Sequence, residues 1–216
     1  MKKKIILLFT LLFSLSLKAQ NGIDISHHNN LNEKDWMEIL NKNVKFVYIK
    51  ASEGKYFKDP DFKKHYNQAK KYKLLVGAYH FYNDKIPPIA QFNNFVNTTK
   101  GYKLDLIPVI DFERKGFKNI CDKYDRLENL RQLVLLFYDY YKVYPIIYTE
   151  YLLYNFTYKE IKSLVNYYWI SCRYSFLSPF VNGDIVQYVT RINNKELDYN
   201  VTNKLKNFII TDIKNF

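Results

Sequence analysis

Eight short segments, mostly apolar on both of their alternating faces, recur along the chain with helix-patterned stretches between them. That rhythm leaves few folds open. The segments are Gly22 to Ser26, Phe46 to Ser52, Leu75 to Phe81, Leu106 to Glu113, Pro145 to Thr149, Tyr167 to Cys172, Asp184 to Val189 and the more weakly patterned Glu196 to Asn200. A strand with one wet face alternates apolar and polar residues, whereas a strand apolar on both sides belongs in a parallel sheet covered by helices. Asp59-Pro60-Asp61 opens a predicted helix running to Lys73, with an Asp cap and Pro at the first helical position. A second is predicted from Asp122 to Tyr141, with Leu127, Leu130, Val134, Phe137 and Tyr141 on one core-packing stripe. Eight strands with intervening helices spell an α/β fold of the TIM-barrel type. The chain is shorter than the roughly 250 residues of the complete eightfold form, so some helices should be missing, above all in the second half.

The first twenty residues follow a different logic. Lys2, Lys3 and Lys4 precede an apolar run from Ile5 to Phe13, and Leu17-Lys18-Ala19 suits signal peptidase. Residues 1–20 therefore read as an export signal and residues 21–216 as one domain. A membrane anchor competes with that reading, but the apolar run falls well short of the roughly 20 residues that a spanning helix needs. The expected location is periplasmic or extracellular, as a monomer with no membrane insertion after cleavage.

Formal charge is +12; without Lys2, Lys3, Lys4 and Lys18 it becomes 12 − 4 = +8, which favours anionic partners. The lysines are scattered, so an anionic envelope polymer fits an exported chain better than nucleic acid does. Cys121 and Cys172 are the one possible disulfide pair, and both the bonded and the free state stay open.

In a parallel barrel the chemistry sits at the C-terminal mouth, and here the strand ends are acidic. Asp24 lies on the first strand, Glu53 follows the second, Asp111 and Glu113 end the fourth, and Asp198 lies on the last. Residues i and i+2 of a strand share a face, so Asp111 and Glu113 point together while Phe112 turns into the packing layer. Carboxyls crowded into one mouth cannot all ionise easily. One is pushed toward the protonated form, which a general acid for a glycosidic oxygen requires, while another stays anionic. A single such acid more often caps a helix or pairs with lysine; convergence of four strand ends favours chemistry.

These pieces resemble glycoside hydrolase family 25, the bacterial and phage N-acetylmuramidases. The resemblance runs in order through Gly22-Ile23-Asp24-Ile25-Ser26-His27-His28, Phe46 to Gly54, Gly77-Ala78-Tyr79-His80-Phe81, Pro108-Val109-Ile110-Asp111-Phe112-Glu113, Pro145-Ile146-Ile147-Tyr148-Thr149, Gln187-Tyr188 and Leu197-Asp198-Tyr199-Asn200. It implies a modified, flattened barrel with fewer helices, Glu113 as the acid, Asp111 as second carboxylate, and Asp24 and Asp198 as supporting aspartates. The implied substrate is the glycan strand of peptidoglycan. Tyr79 and Tyr148 match aromatic positions lining the sugar site; Trp169 and Tyr188 are further candidate sugar platforms, with Gln187 and Glu53 as substrate contacts. Val186-Gln187-Tyr188 and Ile170-Ser171-Cys172 depart from the family's usual wording, which bears on sugar stacking rather than on the acids.

No cofactor is expected. His27 and His28, adjacent on a strand, should face opposite ways and so cannot share a metal; His80 reads as a hydrogen-bonded mouth residue and His65 as a helix residue. Neither a Gly-rich phosphate loop nor a Gly-x-Ser-x-Gly elbow is present. Two alternatives stand beside the muramidase: a glycan-binding protein without turnover, and a glycosidase for chitin or another N-acetylhexosamine polymer. Whether Asp111 attacks the sugar, activates water or steers the substrate's own acetamido oxygen is open at this point.

Overall fold

The computed structural model describes residues 19–113, 123–151, 153–154, 162, 165–172 and 183–210. The predicted export segment up to residue 18, and Cys121, lie outside the described residues. The elements run β1 (Gln20–Ile25), α1 (Glu33–Asn41), β2 (Val44–Glu53), β3 (Phe57–Lys58), α2 (Phe62–Lys71), β4 (Leu75–Phe81) and α3 (Pro88–Thr99). They continue with β5 (Val109–Phe112), α4 (Lys123–Tyr141), β6 (Ile146–Glu150), β7 (Tyr168–Ser171), β8 (Ile185–Ile192), β9 (Lys195–Thr202) and α5 (Leu205–Phe208). The sheet order β1-β9-β8-β7-β6-β5-β4-β2, with β1 also paired to β2, closes a barrel of eight strands. The two-residue β3 folds back on β2 outside the ring.

Seven of the eight barrel strands are parallel, and the eighth is not. β9 runs antiparallel to both β8 and β1, which corrects the all-parallel expectation. Its cause is local. Ile192 and Lys195 are joined by Asn193 and Asn194, both at positive φ (47° and 64°), the conformation of a two-residue hairpin turn. A parallel return would need a crossover of a dozen or more residues. Asp198 is therefore no strand-end residue, but sits mid-strand, directly across from Asp24.

Alternation along the strands sorts the barrel into two apolar layers. Ile23, Val47, Ile49, Val76, Ala78, Ile110, Phe112 and Ile147 face outward, packing with Trp36, Phe62, Phe95 and, from the predicted stripe of α4, Leu130, Val134, Phe137 and Tyr141; Leu127 of that stripe is buried as well. Phe46, Tyr48, Val109, Ile146, Trp169 and Ile185 face inward, and Leu205 and Phe208 of α5 plug the lower end. The interior is thus a packed floor. Its rings require glycine on neighbouring strands: a Cβ on Gly77 would lie 2.1 Å from the Tyr48 ring, and one on Gly22 would lie 2.2 Å from Phe46.

Helix starts are specified less uniformly. Asn32 and Asp35 form a reciprocal capping box at α1. α2 begins at Phe62 rather than at Pro60, and its N-cap Asp61 makes no side-chain cap bond. Asp59, read as the cap, instead takes the Asp61 N–H with one oxygen and turns the other toward His27.

Candidate active site

Above that floor the inward positions become polar. On β5 the backbone alternation sends Ile110 and Phe112 to the helices, leaving Asp111 on the inner side. Asp111 is buried, and Glu113, just past the strand, is half-buried. Strand register places Asp111 beside Phe81 of β4 and Tyr148 of β6.

Asp24 enters from β1. Its Oδ2 accepts hydrogen bonds from Gln187 Nε2 and Asn200 Nδ2, both at 2.8 Å. Its carboxyl is held well above the usual carboxylate range, first by burial and then by the charge of Asp198 across the ladder, with the charge of Glu113 adding to the effect; the two amide donors oppose it. Burial, followed by the charge of Glu196, raises Asp198 as well. Removing water from two facing acids makes a second negative charge costly there.

Gln187 ties this pair to the aromatic wall. Tyr148 donates its hydroxyl proton to Gln187 Oε1 at 2.9 Å, while Gln187 Nε2 serves Asp24. The amide orientation is consequently fixed at both ends. The Tyr148 phenol is held well above its usual range by burial and then by Asp111 and Asp24, with Glu113 contributing. Burial, Asp24 and Asp111 act likewise on Tyr79. Asp24, Asp111, Glu113, Tyr79 and Tyr148 thus lie within one another's fields.

The other predicted residues divide. Glu53 is at the rim, paired with Lys50 at 2.7 Å; an irregularity between Lys50 and Ser52 in the β2–β4 ladder puts both on the mouth side. Trp169 is only 2% exposed, and its ring packs against Tyr148 and Tyr48 at 5.3 and 5.1 Å. It is a support beneath Tyr148 rather than a sugar platform, because the barrel floor covers it. Tyr188 is also corrected: it follows Gln187 on β8, so it faces outward, where it packs on Tyr199. His80 is hydrogen-bonded as expected, but to Ser52 and Gln91 behind the sheet, not in the mouth. β1 ends before His27, so the two adjacent histidines do not diverge; their ring centroids are 3.9 Å apart.

Lys50, Asn200 and the His27–Asp59 pair were missed. Asn200 stood in a quoted motif, and its place opposite Gln187 was the available signal.

The sequence from residue 23 to residue 179 matches the family described as glycosyl hydrolases family 25. The chain belongs to that family. Its relatives include an autolytic lysozyme of Clostridium acetobutylicum, 36% identical over 94 residues, which are 43% of this chain and 28% of that protein. Lysozyme M1 of Streptomyces globisporus is 32% identical over 104 residues, 46% of this chain and 35% of that protein. In both, the match spans about a third of the relative's length. A solved family 25 glycosyl hydrolase from Bacillus anthracis superposes with a TM-score of 0.70 at 26% identity, covering 88% of this chain and 94% of that one. Among the described residues, no helix of this family 25 chain is long and apolar enough to cross a membrane.

Proposed function

We propose that the chain is an exported muramidase, hydrolysing the β-1,4 bond from N-acetylmuramic acid to N-acetylglucosamine in peptidoglycan. Glu113 is the proton donor to the leaving oxygen and Asp111 the second carboxylate. The observation that carries this reading is the convergence of Asp111, Glu113, Asp24 and Asp198 around one mouth, with Tyr79 and Tyr148 beside them. A site that merely held a glycan would gain nothing from Asp198 and Glu113 disfavouring the ionisation of Asp24, whereas proton donation uses such crowding. Relatives named lysozyme support the same substrate class.

In this reading the anionic sugar-facing group is Asp111, which orients the substrate's acetamido oxygen toward the anomeric carbon. Asp24 and Asp198 share proton and charge behind it. Gln187 holds Asp24 and Tyr148 in fixed relation, so that the wall the sugar meets is preorganised. The candidate sugar-facing set is Tyr79, Tyr148 and the rim residue Glu53. Substrate strands and an envelope location follow from the same proposal, and the protein acts as a monomer.

The test is mass spectrometry of fragments released from isolated peptidoglycan by the purified mature protein and by Glu113→Gln. Fragments ending in reducing N-acetylmuramic acid, reduced about 10²- to 10⁴-fold in rate by the substitution, are expected. Binding without fragments from either protein, on walls of differing acetylation, overturns the reading in favour of a glycan-binding module. Fragments from chitin but not from peptidoglycan would assign a different polymer.

A further inference from the structure

The β2–β3 hairpin is pinned more firmly than an exposed turn requires. Gly54 turns it at positive φ (49°) and donates its N–H to Phe81 O at 3.2 Å. From α3, the buried Asn94 amide reaches the carbonyls of Glu53, Gly54 and Phe57 at 3.2, 3.0 and 3.0 Å. Asp59, just beyond β3, returns its N–H to Ala51 O at 2.9 Å. What this scaffold presents to solvent is aromatic: Phe57 is 40% exposed and Tyr56 79%, with Lys55 over the Tyr56 ring.

His27 faces the same surface from the end of β1. Its backbone N–H and its ring Nδ1 both lie on Asp59 Oδ2, at 3.0 and 2.7 Å. The ring is thereby fixed 5.3 Å from Phe57, tilted by 52°. Two rings set at an angle, one of them held by Asp59, thus stand side by side on this surface.

Strand register connects this surface to the acidic mouth. Register partners run in one row from Phe57 to Glu53, Phe81, Asp111 and Tyr148 across five strands. Lys50, 7% exposed, lies under the row with its ammonium over the Phe57 and Phe81 rings, bonded to Glu53. At about 4.8 Å between strands, Phe57 lies roughly 14 Å along the row from Asp111. A sugar seated on Phe57 is therefore not one of the two rings joined by the bond that Glu113 would protonate.

We propose that Phe57, Tyr56 and His27 form a separate subsite for a more distant N-acetylhexosamine ring of the same glycan strand. Phe57 and Tyr56 stack on its C–H faces, and His27 Nε2, left available once Nδ1 is committed to Asp59, meets a hydroxyl or acetamido group. Ordering this surface in advance spares the cost of ordering it on binding. The proposal rests on the muramidase reading, from which its test separates it.

The experiment compares kcat/KM of the full-length mature protein on peptide-free peptidoglycan strands of two lengths, tetrasaccharide and octasaccharide. Wild type should prefer the longer strand. Phe57→Ala should lower kcat/KM on the octasaccharide by roughly five- to tenfold, chiefly through KM, and shrink the length preference accordingly. Phe57→Trp, which keeps a ring, should restore that preference, a result that a purely structural role for the hairpin would not give. Equal losses on both lengths, or none on either, overturn the subsite while leaving the muramidase standing. Cleavage of neither strand by wild type overturns the muramidase reading, and the subsite with it.

Discussion

Acid sensitivity in this protein should trace to a histidine outside the mouth. His80 is fully buried between β4 and α3, its Nδ1 at 2.8 Å from the Ser52 hydroxyl and its Nε2 at 3.1 Å from Gln91 Oε1. Gln91 Oε1 also receives the Asn83 N–H and can only accept, so Nε2 carries the proton and the ring is neutral. Burial pushes its pKa down from 6.5 to about 4. The unfolded chain then binds a proton that the folded chain refuses, and stability falls as pH drops through 6.5, the loss being complete below about 4. At about 1.36 kcal/mol per pH unit, the gap from 6.5 to about 4 amounts to about 3 kcal/mol. Most of this is expressed at pH 4.5 and almost none at pH 7. His80→Gln can retain both hydrogen bonds and does not titrate; its packing defect lowers stability equally at both pH values. Urea unfolding followed by fluorescence of the buried Trp36 and Trp169 supplies ΔG for each protein at each pH. Wild type should lose about 2 to 3 kcal/mol more than the variant between pH 7 and 4.5, since the carboxylates are common to both. Equal losses in the two proteins would refute the argument.

Asp24→Asn should be slower on peptidoglycan yet unfold at higher urea than wild type at pH 7, because a carboxyl whose folded pKa is raised costs stability once it ionises, and the amide can still accept from Gln187 and Asn200. The stability difference should shrink as pH falls through the raised folded pKa of Asp24 and vanish below the unfolded carboxylate range, and a constant difference in a pH series of melts would count against it. Gly77→Ala places a methyl 2.1 Å from the Tyr48 ring and should cost about 1 to 3 kcal/mol, read as a lowered urea midpoint with an unchanged slope. Tyr148→Phe, which removes the bond to Gln187, should reduce turnover by about tenfold, whereas the outward Tyr188→Ser should change it less than about twofold. Equal effects of these two on muropeptide release would undo the assignment of faces.

The barrel was legible because its strands are apolar on both sides, and Leu75–Phe81 has the bounds that its composition predicts. The direction of β9 was not read, although Asn193-Asn194 between two apolar runs was the sign of a tight hairpin. Period-two alternation placed Asp111 inward of Phe112, and the same rule applied to Gln187-Tyr188 and Tyr79-His80 would have turned Tyr188 and His80 outward. Those two readings followed motif position instead. Depth within the barrel is a different matter: nothing local to Trp169 says that Tyr148 covers it, since that depends on the stagger between strands. Nor does sequence announce the irregularity after Lys50 that gives Glu53 its partner.

Closure by an antiparallel last strand also sets when the acidic mouth can exist. β1 leaves the ribosome well before its partner on one edge, β9, which follows some 175 residues later and brings Asp198 opposite Asp24 and Asn200 into a bond with it. Until that segment arrives, β1 has only β2 beside it, and Asp24 lacks both its facing acid and the Asn200 amide. A chain synthesised only as far as β8 carries Asp111 and Glu113 without the β9 residues that complete the mouth. The acidic mouth is therefore a late product of folding, whole only once β9 has slotted between β8 and β1.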